Sequence, residues 1–260
     1  MPQLRVGMQF HPQATTVDEM RAAWRRADDL GADSLWTWDH FYPLYGDPDA
    51  PHFEGWTLLS VMAADTTRAK LGMLVTGNNY RNPELLADMA RTLDHVSGGR
   101  MYLGVGAGWF ERDYDEYGYE FGTAGSRLAD LEQALPRIEK RWAALNPAPL
   151  RDIPVLIGGG GEKKTLRYTA RHADIWHSFG DLDTVVRKSA ILDEWCRTEG
   201  RDPSEVERSV GVEGDPGVKG QPLLDAGVTL FTIGLGGPSY DLARLTDWLA
   251  WRDEVNASRG

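Results

Sequence analysis

Residues 153–179, IPVLIGGGGEKKTLRYTARHADIWHSF, decide the fold. They contain two short β-rich runs, 153–157 and 174–179, on either side of a segment, 162–171, with the length and composition of a helix. A strand, a helix and a second strand in this order favour two parallel strands joined by a right-handed crossover. The stretch is therefore predicted to be one βαβ unit of an α/β protein.

The same alternation continues outward through the whole chain. Strands are predicted at 4–10, 34–39, 70–76, 101–106, 153–157, 174–179, 208–212 and 229–235. Helices are predicted at 17–30, 55–65, 83 to about 96, 128–145, 162–171, 182–198 and about 240–255. Segment 213–227 is too short and too rich in Gly and Pro for a full helix, so the seventh helix is expected to be eroded.

Eight strands, each followed by a helix or a gap of helical size, predict a (β/α)8 TIM barrel. A barrel of this kind needs about 250 residues, and no linker divides the 260 residues, so residues 1–260 are interpreted as one domain. A doubly wound open sheet is the alternative fold.

Composition limits the function. The net charge of −11 argues against a general nucleic-acid surface. The sequence shows neither an apolar segment long enough to span a bilayer nor a signal peptide, and its single cysteine, Cys196, cannot form an internal disulfide. We therefore expect a cytoplasmic protein that acts on a small molecule, with no nucleic-acid or membrane partner.

Glycines follow the fifth predicted strand at 158–161, at the end of the barrel where TIM-barrel enzymes carry their active sites. Glycine permits close backbone approach, and free N–H groups at a helix N-terminus favour an anion such as phosphate. Lys163 and Lys164 would oppose the helix dipole unless they face an anion. A flexible surface turn is the alternative interpretation.

The segment 104–109, GVGAGW, follows the fourth strand and is only a weak match to a dinucleotide-binding fingerprint, because its third glycine comes too early. Its glycines would let a flat ring or a phosphate tail lie against the backbone. A tight turn between strand and helix is the alternative.

Asp39 and His40 at the end of the second strand form the sharpest chemical pair. Histidine exchanges a proton near neutral pH, and a nearby carboxylate can orient it. Neighbouring residues on a strand point to opposite sides, so the two need not touch. A structural hydrogen bond is the alternative role for His40. No metal-binding pattern and no Gly-x-Ser-x-Gly elbow is present, so a metal site and a serine hydrolase are not expected.

Taken together, these motifs resemble those of the luciferase-like monooxygenase superfamily, and within it the F420-dependent oxidoreductases. The resemblance rests on five stretches, which are 30–41 LGADSLWTWDHF, 72–83 GMLVTGNNYRNP, 97–109 SGGRMYLGVGAGW, 154–161 PVLIGGGG and 170–176 ARHADIW. It implies a (β/α)8 barrel with a deazaflavin, F420, across its mouth. FMN is the alternative cofactor, with a partner reductase, and a non-catalytic cofactor-binding protein is a further alternative.

The resemblance also implies the site residues. Asp39 and His40 would lie near the reactive face of the ring as catalytic residues, and a non-prolyl cis peptide is expected within 74–76. The residues implied to bind the cofactor are Leu74, Val75, Thr76, Asn78, Gly106, Ala107, Gly108, Trp109, Gly158, Gly159, Gly160, Gly161 and Glu162. The residues expected to line the substrate pocket are Trp38, Phe41, Trp56, Phe110 and His177. A homodimer is implied by the family alone.

Two departures from the family pattern concern the substrate. Segments 142–150 and 213–227 are short, so less of the chain is expected to cover the mouth. Sugar-phosphate dehydrogenases of the superfamily place a glutamate in the loop after the fourth strand, whereas this loop reads Ala107-Gly108-Trp109, and Glu111 is the nearest acid. Sugar-phosphate oxidation is therefore not expected.

Overall fold

Parallel strands alternate with helices through residues 3–259, the part of the chain that the computed structural model describes. The strands in this part are β1 (Arg5–Phe10), β2 (Ser34–Thr37), β3 (Lys70–Met73), β4 (Thr76–Gly77), β5 (Met101–Gly106), β6 (Val155–Gly158), β7 (Ile175–Ser178), β8 (Glu207–Val212) and β9 (Val228–Leu235). The helices in the same residues are α1 (Val17–Leu30), α2 (Gly55–Asp65), α3 (Pro83–Ser97), α4 (Glu111–Tyr117), α5 (Ala124–Ala144), α6 (Thr165–His172), α7 (Leu182–Thr198), α8 (Pro216–Asp225) and α9 (Ala243–Arg259).

The sheet closes on itself. Each strand pairs in parallel with its neighbour, and β9 returns to pair with β1 over the full length of β1. β3 and β4 are two halves of one barrel strand, since both pair with β5. Eight strand positions in a closed parallel sheet confirm the predicted (β/α)8 TIM barrel, and they exclude the open doubly wound sheet.

Local signals explain the helix boundaries. The side chain of Thr16 accepts a hydrogen bond from the backbone N–H of Glu19, and the side chain of Glu19 accepts one from the backbone N–H of Thr16, so α1 begins with a capping box. Gly31 ends α1 in the left-handed conformation, with φ of 100°. Asn82 caps α3, and Pro83 occupies its first turn.

The core has an inner and an outer layer. Inward-facing apolar side chains fill the barrel, among them Trp36, Tyr102, Leu156, Ile175 and Leu230. A larger cluster packs between the strands and the helices around them. At the N-terminal end of the barrel, the guanidinium of Arg100 donates five hydrogen bonds to carbonyl and hydroxyl oxygens at the ends of α2 and α3 and in the turn before β3. This end of the molecule therefore provides stability.

Four expectations about elements need correction. The strand predicted at 70–76 breaks into β3 and β4. Helix α6 begins at Thr165 and not at 162, because residues 162–164 form a turn. Helix α4 was not predicted, since its seven residues show no clear apolar period.

Segment 213–227 was expected to lack a proper helix, and this was wrong, because it contains the ten-residue helix α8. Asp215 caps α8 by accepting from two backbone N–H groups, and Pro216 fits its first turn. Gly220 lies where a Cβ would come within 2.7 Å of the Trp251 ring on α9, so the low helix propensity of this segment reflects close packing.

Candidate active site

The carboxyl ends of the strands form the barrel mouth, and glycines occupy its inward-facing positions. These are Gly106 on β5, Gly158 on β6, Gly211 on β8 and Gly234 on β9. They follow the inner-layer residues Tyr102, Leu156, Ser209 and Leu230 at even spacing, as the alternation of a strand requires. The mouth is thus lined by backbone and leaves room for a flat molecule.

Val75 extends over this mouth. The peptide bond between Leu74 and Val75 is cis, which confirms the expectation for residues 74–76. Gln9 donates to the carbonyl oxygen of Leu74 at 2.6 Å and fixes the break between β3 and β4. A Cβ on Gly106 or on Gly158 would lie only 2.9 Å from a Val75 methyl, so both glycines are needed for Val75 to fit.

His40 pairs with a carboxylate that the sequence did not reveal. Its Nδ1 lies 2.7 Å from Oδ2 of Asp113, on α4. Asp113 is fully buried and also accepts from the backbone N–H of Phe41 at 3.0 Å and from the hydroxyl of Tyr80 at 2.8 Å. Burial raises the pKa of Tyr80 well above its usual range, so its hydroxyl remains a donor.

These contacts set the roles of the His40 ring. A carboxylate that accepts from Phe41 and Tyr80 is an acceptor toward Nδ1 of His40 as well, so Nδ1 carries the hydrogen. Nε2 makes no hydrogen bond to any residue within 3–259 and is available to a ligand. The ring stands edge-on against Trp109 and Phe110, with centroid distances of 5.6 Å and 5.5 Å.

Asp39 points away from His40 into the protein. It accepts two hydrogen bonds from Arg81, at 2.6 Å and 2.9 Å, and one from the backbone N–H of Gly77 at 3.2 Å. Burial raises the pKa of Asp39 to about 6, against the opposing effect of Arg81. Asp39 therefore holds β4 and the loop after it, and the predicted catalytic pair is separated into a mouth residue and a positioning residue.

Three predicted side chains lie behind the mouth. Trp56 is buried on α2, outside the barrel strands, where its Nε1 donates to Thr76 Oγ1 at 3.2 Å. Its place in the helix layer corrects the expectation that it lines the substrate pocket. Phe41 stacks on Tyr117 with a centroid distance of 4.2 Å and supports α4. Asn78 is buried, and its Oδ1 has no partner among residues 3–259.

The loop after β5 runs close to α4 and α5. Gly108 has φ of 78°, and a Cβ there would lie 2.0 Å from the Tyr114 hydroxyl. Arg127 donates to the carbonyl oxygen of Gly108 at 3.1 Å and fixes the loop. Ala107 packs on the core beneath, whereas Trp109 remains 63% exposed. The loop therefore presents one large ring to the mouth.

The glycine loop after β6 offers unpaired amides. Gly159 has φ of 125° and donates its N–H to the His177 carbonyl at 3.1 Å. The N–H groups of Gly160 and Gly161 donate to no carbonyl within the described residues. The carboxylate of Glu162 pairs with Arg187 on α7, so only its backbone faces the loop.

The cation nearest this loop is one the sequence did not single out. Lys188 on α7 brings its Nζ within 2.3 Å of where a Cβ on Gly160 would be, whereas Lys163 and Lys164 are exposed. Only the packing of α7 against α6 brings Lys188 here, and no spacing in the sequence indicates it. Free amides and an ammonium group together make a site suited to an anion.

Two further histidines face the mouth. His177 is buried on β7, with Nδ1 2.9 Å from Ser209 Oγ, and its Nε2 has no partner among the residues described. Burial lowers the pKa of His177 to about 3. His11 follows β1 and stacks on Trp38 with a centroid distance of 4.3 Å. Burial lowers the pKa of His11 to about 4.

Other parts of the described chain offer less. A groove of about 690 Å³ lies at the opposite, N-terminal end of the barrel, but its charged groups, such as Arg5 with Glu207 and Arg208 with Asp193, pair with one another. Residues 3–259 contain no group of three His, Cys, Asp or Glu side chains placed to hold a metal ion. Within the same residues, no helix combines the length and the apolar character needed to cross a bilayer. The mouth is thus the candidate active site.

Comparison with known proteins identifies a family. Residues 3–213 match the family model described as luciferase-like monooxygenase. An uncharacterised protein of Mycobacterium tuberculosis (strain ATCC 25618 / H37Rv) is 29% identical over 184 residues, which is 62% of this chain and 64% of that protein. The F420-dependent glucose-6-phosphate dehydrogenase of Amycolatopsis mediterranei is 29% identical over 167 residues, 57% of this chain and 49% of the enzyme. The chain thus spans less than two thirds of these relatives.

Solved structures share the fold at low identity. An F420-dependent secondary alcohol dehydrogenase, in complex with an F420-acetone adduct, has a TM-score of 0.81 and 18% identity, with 90% of this chain and 93% of that chain covered. The oxygenating constituent of 3,6-diketocamphane monooxygenase from Pseudomonas putida, in complex with FMN, has a TM-score of 0.65 and 20% identity, with 81% and 67% covered.

Proposed function

Since the chain belongs to the luciferase-like monooxygenase family, we propose that it is an oxidoreductase that binds the deazaflavin F420 at the barrel mouth. It would transfer a hydride between the ring and a small organic substrate. The observation that carries the proposal is the His40–Asp113 pair, which lies at the same barrel mouth as the Val75 platform and its glycines.

The mouth has the features that such a cofactor needs. Val75 lies between Gly106 and Gly158 and offers an apolar support for a ring. A side chain at either glycine would collide with Val75 and occupy this space. Gly160, Gly161 and Lys188 offer amides and an ammonium group to the phosphate of the tail. Relatives named as F420-dependent glucose-6-phosphate dehydrogenases support F420 as the cofactor.

When bound, the reduced deazaflavin supplies a hydride, that is, one proton with two electrons. A carbonyl substrate would take this hydride on carbon. Its oxygen would take the Nε2 proton of a doubly protonated His40, so that an alcohol forms and a neutral imidazole with its hydrogen on Nδ1 remains. In the reverse direction Nε2 would accept the hydroxyl proton while the hydride leaves carbon. Asp113 stabilises the charged imidazole in either direction and keeps the ring in one orientation.

An FMN-dependent monooxygenase that works with a partner reductase is the second candidate, and the similarity to an FMN-bound oxygenating subunit favours it. Both candidates place a ring on Val75, so the choice depends on which cofactor binds. The third candidate is a cofactor-binding protein with no catalytic activity. The variant His40→Ala distinguishes it from an enzyme.

The test is a titration of the purified protein with F420 and with FMN, followed by quenching of tryptophan fluorescence. We expect F420 to bind at least about tenfold more tightly than FMN, a difference of about 1.4 kcal/mol. Lys188→Met should weaken F420 binding, whereas Lys163→Met, which changes an exposed lysine just after the glycines, should not. Tight FMN binding with weak F420 binding would favour the monooxygenase, and binding of neither would contradict the proposal.

A further inference from the structure

Three exposed aromatic rings stand around the mouth, each edge-on against a histidine. Tyr45 stands against His11 at 5.5 Å and 75°, Trp109 against His40 at 5.6 Å and 72°, and Phe179 against His177 at 4.9 Å and 88°. The rings are 52%, 63% and 64% exposed. Large exposed aromatic side chains at a mouth indicate a surface that is covered by a ligand.

We call these three residues, Tyr45, Trp109 and Phe179, the aromatic rim. They come from three separate loops. Tyr45 lies in the loop after β2, Trp109 in the loop after β5, and Phe179 in the loop after β7. The histidine that each ring packs against limits the rotation of that ring. Three rings held in this way offer flat apolar faces at little cost in side-chain entropy.

Positive charge is scarce along the same rim. The loops after β1, β2, β7, β8 and β9 (residues 11–16, 38–54, 179–181, 213–215 and 236–242) contain no lysine or arginine. They contain seven acidic residues besides Asp39, namely Asp47, Asp49, Glu54, Asp181, Glu213, Asp215 and Asp241. A negatively charged substrate would therefore meet like charges as it enters.

The two arginines that follow β4 and β5 are already engaged. Arg81 is bound to Asp39 and Glu54. Arg112 donates to the carbonyl oxygen of Pro48 and lies 4.0 Å over the ring of Tyr42. Freeing either side chain would leave its partner unpaired, so neither is available to a substrate anion.

Two of the three histidines behind the rings, His11 and His177, do not supply the missing charge, and the third, His40, is paired with the carboxylate of Asp113. Burial lowers the pKa of His11 to about 4 and that of His177 to about 3, so both are neutral at pH 7. The lysines of the mouth, Lys163, Lys164 and Lys188, lie in and beside the glycine loop after β6, where the proposed function has the phosphate of the cofactor tail. An anionic substrate held against the rim would therefore find no free cation there to pair with.

We propose that the substrate is a flat conjugated or aromatic carbonyl compound that carries no carboxylate or phosphate, held against the aromatic rim beside His40. This inference rests on the proposed function, since the same mouth must hold F420. It separates the chain from its relatives named for glucose 6-phosphate, whose substrate carries a phosphate group.

A matched pair of aldehydes tests the inference, namely methyl 4-formylbenzoate, which is uncharged, and 4-formylbenzoate, which is an anion of similar shape. Binding to the F420-loaded protein and to the protein alone is measured at pH 7, and the rate of reduction with reduced F420 is measured for each. We expect the ester to bind about tenfold or more tightly than the acid and to be reduced faster, in line with the cost of an unpaired charge.

Two variants locate the effect. Phe179→Ala should weaken ester binding about fivefold, since an aromatic contact of this kind is worth about 1 kcal/mol. Val186→Ala, on the exposed face of α7, should change nothing. Phe179→Arg should raise the affinity for the acid and so reduce the difference in affinity between the ester and the acid.

The outcomes separate the two proposals. Equal or tighter binding of the acid, or an ester affinity that Phe179→Ala leaves unchanged, would overturn the substrate class. If F420 fails to bind while the ester still binds more tightly than the acid, the proposed cofactor is wrong, but the preference of the aromatic rim for an uncharged compound is supported. If F420 binds and neither aldehyde does, the substrate class fails alone.

Discussion

The Nδ1 atom of His40 lies 2.7 Å from Oδ2 of Asp113, a residue 73 positions further along the chain. The two side chains belong to different βα units of the barrel, since His40 lies in the loop after β2 and Asp113 lies on the helix that follows β5. A buried carboxylate that orients a histidine at a barrel mouth suits proton transfer with a fixed tautomer. Four predictions follow from this pair and from its surroundings.

Asp113→Asn should lower kcat by about 10- to 100-fold while KM and F420 affinity change little, because an amide can keep the geometry but not stabilise a charged imidazole. The neighbouring exposed acid on the same helix provides the control, Asp115→Asn. ¹⁵N shifts of the His40 ring should report hydrogen on Nδ1 in the parent protein and a mixed state in the variant. Unchanged shifts and an unchanged kcat would show that Asp113 has only a structural role.

His40→Ala should bind F420 within about threefold of the parent and lose about 10²- to 10⁴-fold in turnover, the usual range for removal of a general acid or base. His95→Ala is the matched control and should keep full activity, since His95 is a half-buried histidine of α3 whose Nε2 lies 2.8 Å from the carbonyl oxygen of Ala148. Normal turnover by His40→Ala would remove the proton role. Loss of turnover with retained binding supports an enzyme over a cofactor carrier.

Gly159→Ala tests the phosphate loop. Gly159 has φ of 125°, and an alanine there is strained by about 1–3 kcal/mol, which would distort the loop. Gly200→Ala is the control, since Gly200 has φ of 75° with open space around it and lies beyond the end of α7. Both variants should lose stability to urea, but only Gly159→Ala should lose about tenfold or more in F420 affinity. Equal F420 affinity in the two variants would place the phosphate elsewhere.

The buried histidines predict how stability depends on pH. The pKa of His177 is lowered from 6.5 to about 3, so below pH 6.5 the unfolded chain takes up a proton that the folded chain refuses. The free energy of unfolding should therefore be constant for this group above pH 6.5 and fall at lower pH, by about 1.4 kcal/mol per pH unit.

Urea unfolding at pH 5, 6, 7 and 8 would measure this slope in the parent and in His177→Gln, which lacks the titrating group. We expect a shallower decline between pH 6 and pH 5 in the variant. Parallel curves would mean that His177 takes up a proton in the folded state as readily as in the unfolded chain. Retention of the far-ultraviolet spectrum checks that the variant folds.

Residues with local signals were predicted well. Helix α1 ends where Gly31 allows the left-handed conformation, and it begins after the capping residue Thr16, so both boundaries follow from nearby residues. The order of strands and helices gave the closed barrel, because parallel strands need crossovers of helical length. The glycines at 106 and 158–161 marked the mouth for the same local reason, since few other residues fit there.

Residues that act through tertiary contacts were not predicted. Asp113 lies in a seven-residue helix without an apolar period, and only folding brings it to His40. Lys188 lies in the middle of α7 and reaches Gly160 from a neighbouring helix. Asp39 was expected near the reactive face of the ring from the family resemblance, yet its carboxylate is bound by Arg81. The sequence indicates that neighbours on a strand point to opposite sides, but not which of the two faces the mouth.

The break in the third barrel strand has a consequence for motion. β3 and β4 are hydrogen-bonded to β5 in two separate sections, at Leu71–Gly72 and at Thr76–Gly77. Amide protons of the section at the mouth, Thr76–Gly77, can exchange with solvent through a local opening that leaves the section at Leu71–Gly72 paired. Deuterium should therefore enter at Gly77 sooner than at Gly72, and a ligand seated on Val75 should slow that entry without affecting the base of the barrel.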